Sequence, residues 1–303
     1  MQGRVKMWFK NAIIYQLTKN IDFGEIESKL KECQFTPCEP SEISRFGWTA
    51  PLETDGNLAY FADNKVLLMA KREEKILPVD VINRELNIRI AALEEKEQRK
   101  LKKIERLSLR DDVVASLTSQ AFSKFKFTAL FIDLKTKLIY VDAASSKLAE
   151  DALALLRKSL GSLPVIPLNF NTAPCEVMTE WIADKEPNWL ILLEEAEIRE
   201  KNDLGVISCK NKSLLDEDIV ELAQSGLVSK LALEWENNLK FVLRDDGTLK
   251  RLKFDDRITK QNDDILKEEI GKRFYADFIL MANVLSGLLN ELSVEFKGLK
   301  VAL

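Results

Sequence analysis

Between Pro78 and Gly161 the chain carries neither glycine nor proline. Those two residues punctuate most chains, because proline fixes φ and removes a donor while glycine reaches backbone angles closed to other residues. Element boundaries in this stretch must therefore be read from hydrophobic spacing. Ile82, Leu86, Ile90 and Leu93 recur every three or four residues, which predicts one apolar stripe along a helix. A second helix is expected to begin near Ser108, where Ser-Leu-Arg-Asp is like a capping box, and to run through Val113, Val114, Leu117, Ala121 and Phe122. Phe127–Asp133 and Lys137–Asp142 then read as strands joined at Lys135 and Thr136. An amphipathic helix follows from Ser145 to Leu160, built on Leu148, Ala152, Leu155 and Leu156 and ended by Gly161.

Inside the same stretch, Lys96–Arg110 reads KEQRKLKKIERLSLR, in which seven of fifteen residues are basic and only Glu97 and Glu105 are acidic. The whole chain has a formal net charge of −4. A local excess of this kind points to a polyanion partner that the total charge hides. Spacing leaves two placements open: the segment extends the first helix or forms the connection.

Elsewhere the pattern is α+β, with small antiparallel sheets each covered by helices and one helical hairpin region. Residues 1–76 read as a small α/β part, with a strand within Trp8–Gln16, a helix within Gly24–Cys33, and strands Leu58–Ala62 and Lys65–Lys71 turning at Asp63-Asn64. Residues 77–126 form the hairpin and 127–168 a strand-strand-helix unit. Residues 169–228 are a variable lobe, with helices expected around Leu190–Glu200 and Asp216–Ser225. Residues 229–303 form a three-stranded meander turning at Asn237-Asn238 and Asp245-Asp246-Gly247, then a largely apolar helix from Phe274 to Leu292. That last part is expected to pack with the N-terminal part.

With no histidine anywhere, Ser-His-Asp and Cys-His pairs and histidine-bearing zinc sites are impossible. No phosphate loop or dinucleotide fingerprint occurs, and Gly271-Lys272 lacks the upstream glycine of the former. No apolar run approaches the roughly 18–20 residues of a membrane span, and Lys10 and Asn11 interrupt any signal-like core, so no membrane partner is expected. Four scattered cysteines fit a reduced, cytoplasmic protein. Cys33 and Cys38 lack a second pair nearby and read as two small packed residues rather than a metal half-site.

Eight stretches together resemble the RdgC family: WFKN at Trp8–Asn11, FTPC at Phe35–Cys38, EEKILP at Glu73–Pro78, RKLKK at Arg99–Lys103, AFSKF at Ala121–Phe125, ALLRKSLGSLPV at Ala154–Val165, LKRLKF at Leu249–Phe254 and DFILM at Asp277–Met281. They occur in order over nearly the whole chain, with Asn169–Lys212 carrying little of the family's pattern. The resemblance implies a recombination-associated, nucleoid-linked protein that is not an enzyme and uses no cofactor. It implies two subunits closing into a ring-shaped homodimer, duplex DNA held through a basic bore without sequence preference, and restraint of the RecA recombinase.

Under that reading Arg99, Lys100, Lys102 and Lys103 neutralise phosphates, joined by Lys250, Arg251 and Lys253 on the last strand of the meander. The plain alternative for the latter three is charge that protects a bare sheet edge. Arg157 and Lys158 sit in the last turn of a helix, where cations favour the dipole for structural reasons alone. Phe122 and Phe125 are candidate contacts at one ring closure, with Phe122 facing a partner copy. The variable lobe supplies the other closure, with Lys210 and Lys212 as its candidates. Two rival readings remain: a metal-dependent nuclease using Asp245-Asp246, Asp255-Asp256 and Asp263-Asp264 with Lys253, and an adaptor that acts on the recombinase through protein contact alone.

Overall fold

A computed structural model describes residues 8–200, 205–266 and 268–300. In chain order the elements begin β1 (Ile13–Leu17), α1 (Ile26–Lys31), β2 (Ser44–Thr49), β3 (Ala59–Ala62), β4 (Lys65–Lys75), α2 (Val79–Glu97) and α3 (Lys103–Gln120). The middle holds β5 (Ser123–Asp133), β6 (Leu138–Val141), α4 (Ser146–Leu160), β7 (Val165–Pro167), α5 (Pro174–Ala183), β8 (Leu190–Glu200) and β9 (Val206–Lys210). The last third adds α6 (Glu217–Ser225), β10 (Gly226–Trp235), β11 (Leu239–Arg244), β12 (Leu249–Phe254), α7 (Asp256–Thr259) and α8 (Ile270–Glu295). The described residues thus form an α+β fold with two antiparallel sheets and eight helices.

The chain divides into two compact units: residues 31–49 and 70–127 form one, and everything else the other. In the larger unit a sheet runs β4-β5-β6-β1-β7, with β3 beside β4 as an Asp63-Asn64 hairpin. Both turn residues take positive φ, as the sharp two-residue turn requires. A second sheet runs β12-β11-β10-β8-β9. Helices α5 and α6 pack against β10 of this second sheet. The apolar face of α8 serves both sheets: Phe278 meets Phe131 of β5 edge-on at 5.9 Å, and Gly287 lies under the Trp235 ring of β10. By length and composition α8 could cross a membrane, against the expectation from the bare sequence. Seven of its side chains, among them Met281, Leu285 and Leu289, are instead buried in the core.

Residues Trp8–Ala12 run along the outer side of β12. Ala12 and Leu249 exchange both backbone hydrogen bonds at 2.8 and 3.0 Å, and the Leu252 N–H reaches the Lys10 carbonyl at 2.8 Å. The Phe9 N–H donates to Met281 Sδ, and the Phe9 ring packs on Phe131 at 5.6 Å.

In the smaller unit β2 lies beside β4, and its other side meets the extended Cys33–Phe35 segment. Trp48 is fully buried there. Gly47 is required by close approach, since a Cβ at that position would stand 2.7 Å from the Phe35 backbone. Helices α2 and α3 pack as a hairpin. The glycine-free link turns through Gln98, which takes the left-handed conformation at φ 53°.

Three expectations are corrected. Leu190–Glu200 is strand β8, not a helix, because pairing with β10 satisfies its backbone and buries Leu190, Ala196 and Ile198 at even positions. Helix α3 starts at Lys103, five residues before Ser108, because Glu105 reaches back to the Lys102 N–H at 2.7 Å. It also ends at Gln120, so Phe122 lies on the short link into β5 rather than on the helix, with its carbonyl accepting from the Ile76 N–H at 2.8 Å.

Candidate nucleic-acid interface

The basic segment forms the α2–α3 connection and the first turn of α3. Much of its charge is neutralised on the spot. Arg99 pairs with Glu97 and with both oxygens of Glu105. Lys100 and Arg106 both reach Glu94, at 2.8 and 3.0 Å, and the Leu101 N–H adds a third bond to the same carboxylate. Lys100 with the Leu101 amide holds the Glu94 carboxyl down at about 2, and Arg99 with the Lys102 amide does the same for Glu105. The Lys102 and Lys103 side chains remain exposed, with no carboxylate within ion-pair distance among the described residues. Lys96 and Arg110, which are not among the cations expected to meet phosphates, share that state. Their signal was the spacing to Glu94 and Glu105, which capture the cations nearest the turn.

Strict alternation along β12 predicts Lys250 on one face and Arg251 with Lys253 on the other, and the meander departs from it. Register slips between Lys240 and Val242 opposite β12, and Arg251 takes φ 52°, so a bulge puts Lys250 and Arg251 on the polar side in succession. Burial pushes the Lys250 ammonium below its usual range, and its Nζ faces the Ala143 and Ala144 carbonyls at 3.4 and 3.3 Å. Arg251 is bound by Glu195, which also holds Lys230 at 2.7 Å. Lys253 stays exposed and unpaired among the described residues. Because residues 10–12 pair with β12, this strand is no bare edge, and charge is not needed there against stray pairing. Arg157 and Lys158 are exposed in the last turn of α4, whose C-cap Gly161 sits at φ 78°.

Phe122 is 85% exposed, Phe125 50% and Phe127 49%. Phe125 and Phe127 share one face of β5 with Ser123, and there Lys71 Nζ stands 4.8 and 5.8 Å from their ring centres and 4.6 Å from that of Phe35. Among the described residues no cation stands over the Phe122 ring. Val79, Val81, Ile88, Ile104 and Leu107 add exposed apolar surface along the hairpin. In the larger unit, Lys210 is exposed at the end of β9, the outer strand of its sheet, while Lys212 pairs with Asp216 and Asp218.

The acidic pairs are each engaged locally. Asp245 pairs with Arg199, Asp246 accepts from the Thr248 N–H, Asp255 caps α7, Asp256 pairs with Lys260 and Asp263 with Arg273. Among the described residues no three carboxylates or thiols converge in a metal-binding group. Cys33 and Cys38 are both free and half-buried, the Cys38 N–H donating to Glu73.

Two antiparallel sheets and a helical hairpin with a basic, partly neutralised link define an α+β class of protein whose sequence carries no phosphate loop. The profile described as "Putative exonuclease, RdgC" matches residues 7–299, which takes in the Asn169–Lys212 stretch. The chain is 53% identical over 302 residues to the recombination-associated protein RdgC of Haemophilus influenzae strain PittGG, covering 98% of this chain and all of that one. It is 54% identical over 297 residues to that of Mannheimia succiniciproducens, covering 97% and 98%, and 52% identical over 301 residues to that of Pasteurella multocida, covering 98% and all of it. The chain belongs to the RdgC family.

Proposed function

We propose that two copies of this chain close into a ring around duplex DNA, bind it through phosphates without sequence preference, and thereby restrain RecA-mediated strand exchange in the nucleoid. On this reading the protein is a binding protein rather than an enzyme. The observation that carries it is the group of exposed cations within Lys96–Arg110 that have no carboxylate in ion-pair distance among the described residues, Lys96, Lys102, Lys103 and Arg110, in a chain of negative net charge. Lysine and arginine are all that phosphate binding requires, and a concave wall focuses their field. The exposed Phe122 and its apolar neighbours support one self-contact, since a twofold axis brings a patch against its own copy.

Gel retardation of a linear duplex across a salt series tests the reading. Each phosphate contact contributes about −0.9 to the slope of log affinity against log salt, so Lys102→Glu with Lys103→Glu should weaken binding and flatten the slope by about 1.8. Unchanged affinity and slope would sink the proposal. The profile's description names an exonuclease, so the same duplex is incubated with magnesium. Retarded, full-length DNA is expected, and progressive shortening from the ends would favour the nuclease instead. Inhibition of RecA that survives in the double variant would favour the adaptor.

A further inference from the structure

A groove of about 550 Å³ in the larger unit belongs to none of the features above. Its floor is apolar, from Leu17 at the end of β1, Ile21 and the buried Phe23. Its walls carry Phe61 and Leu134, which are 53% and 37% exposed. Alternation along β3 explains Phe61: Tyr60 turns inward to meet Phe274 at 4.9 Å, so Phe61 must point outward. Leu134 is held in a firm turn, since Asp133 Oδ1 accepts from the Lys135 and Thr136 amides and the Leu134 N–H reaches the Asn64 carbonyl. Two exposed cations, Lys19 and Lys137, stand at the rim with no carboxylate within ion-pair distance among the described residues. The lining includes one carboxylate, Asp22, and one of its oxygens is taken by the Gly24 N–H at 2.8 Å.

We infer that this groove docks an acidic peptide segment of a partner protein, with one bulky apolar side chain seated between Phe61, Leu134 and Phe23 and its carboxylates on Lys19 and Lys137. Charge complementarity selects the occupant. The rim is cationic in a chain whose net charge would otherwise repel an acidic peptide. A small metabolite would need buried polar groups converging to orient it, and here the polar groups are at the rim. Duplex DNA would leave the apolar floor unused and find two cations.

The test is fluorescence anisotropy with a labelled nine-residue peptide of alternating Asp and Glu around a central Phe, titrated with the full-length protein. Saturable binding is expected, weakened about tenfold or more, ~1.4 kcal/mol, by Lys19→Glu with Lys137→Glu, by Phe61→Ala, and by replacing the peptide's Phe with Ala. Equal binding by the Ala peptide, equal binding by the double variant, or no saturation up to ~1 mM overturns the inference. Duplex retardation is measured on the same variants and is expected to stay at the parental level. If it falls as far as peptide binding does, the groove is a nucleic-acid contact and the inference fails, whereas loss of DNA binding by the hairpin variants leaves it standing.

Discussion

Glu94 shows how one residue can set the charge available at a surface. Its carboxylate takes bonds from Lys100, Leu101 and Arg106, and its carboxyl is held at about 2 against an ordinary 4.5. A depressed carboxyl stabilises the fold at any pH above its unfolded value, and that contribution is lost as pH falls from 4.5 toward 2. The protection factor of the Leu101 amide against hydrogen exchange should therefore fall over that window, and Glu94→Gln should remove most of that pH dependence. The same variant releases two cations, so it should bind DNA more tightly and with a steeper salt slope if the hairpin meets phosphates. Weaker binding would place the Glu94 cluster in a purely structural role. Gly47 makes a different point, because steric space and not charge decides it. Gly47→Ala should cost about 1–3 kcal/mol in urea denaturation, since backbone stands where the methyl would go.

At the scale of elements, α4 was legible because every signal agrees: Ser145 accepts from the Leu148 N–H, the stripe is regular, and Gly161 supplies the left-handed cap. Gly161→Ala should lower stability by about 1 kcal/mol while leaving DNA retardation unchanged, which thermal melts and gels can check. The meander was legible too, although its first turn centres on Glu236 and Asn237, one residue early. Strand β8 was not. Its glutamates favour a helix locally, and the register with β10 slips twice, which blurs the alternation that marks a strand. β2 was missed because Gly47 and the following Pro51 read as turn residues, and because its parallel bridge to Cys33–Phe35 leaves no hairpin signal. The start of α3 escaped because Lys102 offers no side-chain acceptor, leaving half of a capping box. Of the candidate cations, types and positions were readable, but which are neutralised depended on Glu94 and Glu195 reaching across several residues or strands.

For the whole molecule, the exposed apolar hairpin surface predicts self-association. If two copies close through it, the melting temperature should rise with protein concentration. Phe122→Ser, a change at a residue 85% exposed, should abolish that dependence and weaken DNA binding with little effect on the fold of the single chain. A melting temperature that is independent of concentration in both proteins would remove Phe122 from any closure. The pairing of residues 10–12 with β12 has a consequence for how the protein is made. During synthesis the smaller unit is complete once Phe127 has emerged, but the first strand-like segment waits for residues 249–252, and Phe9 waits for Met281. A chain interrupted before residue 249 would therefore lack the partner of residues 10–12 as well as helix α8, leaving its amino-terminal seam open and its central apolar surface bare, a natural client for chaperones and proteases.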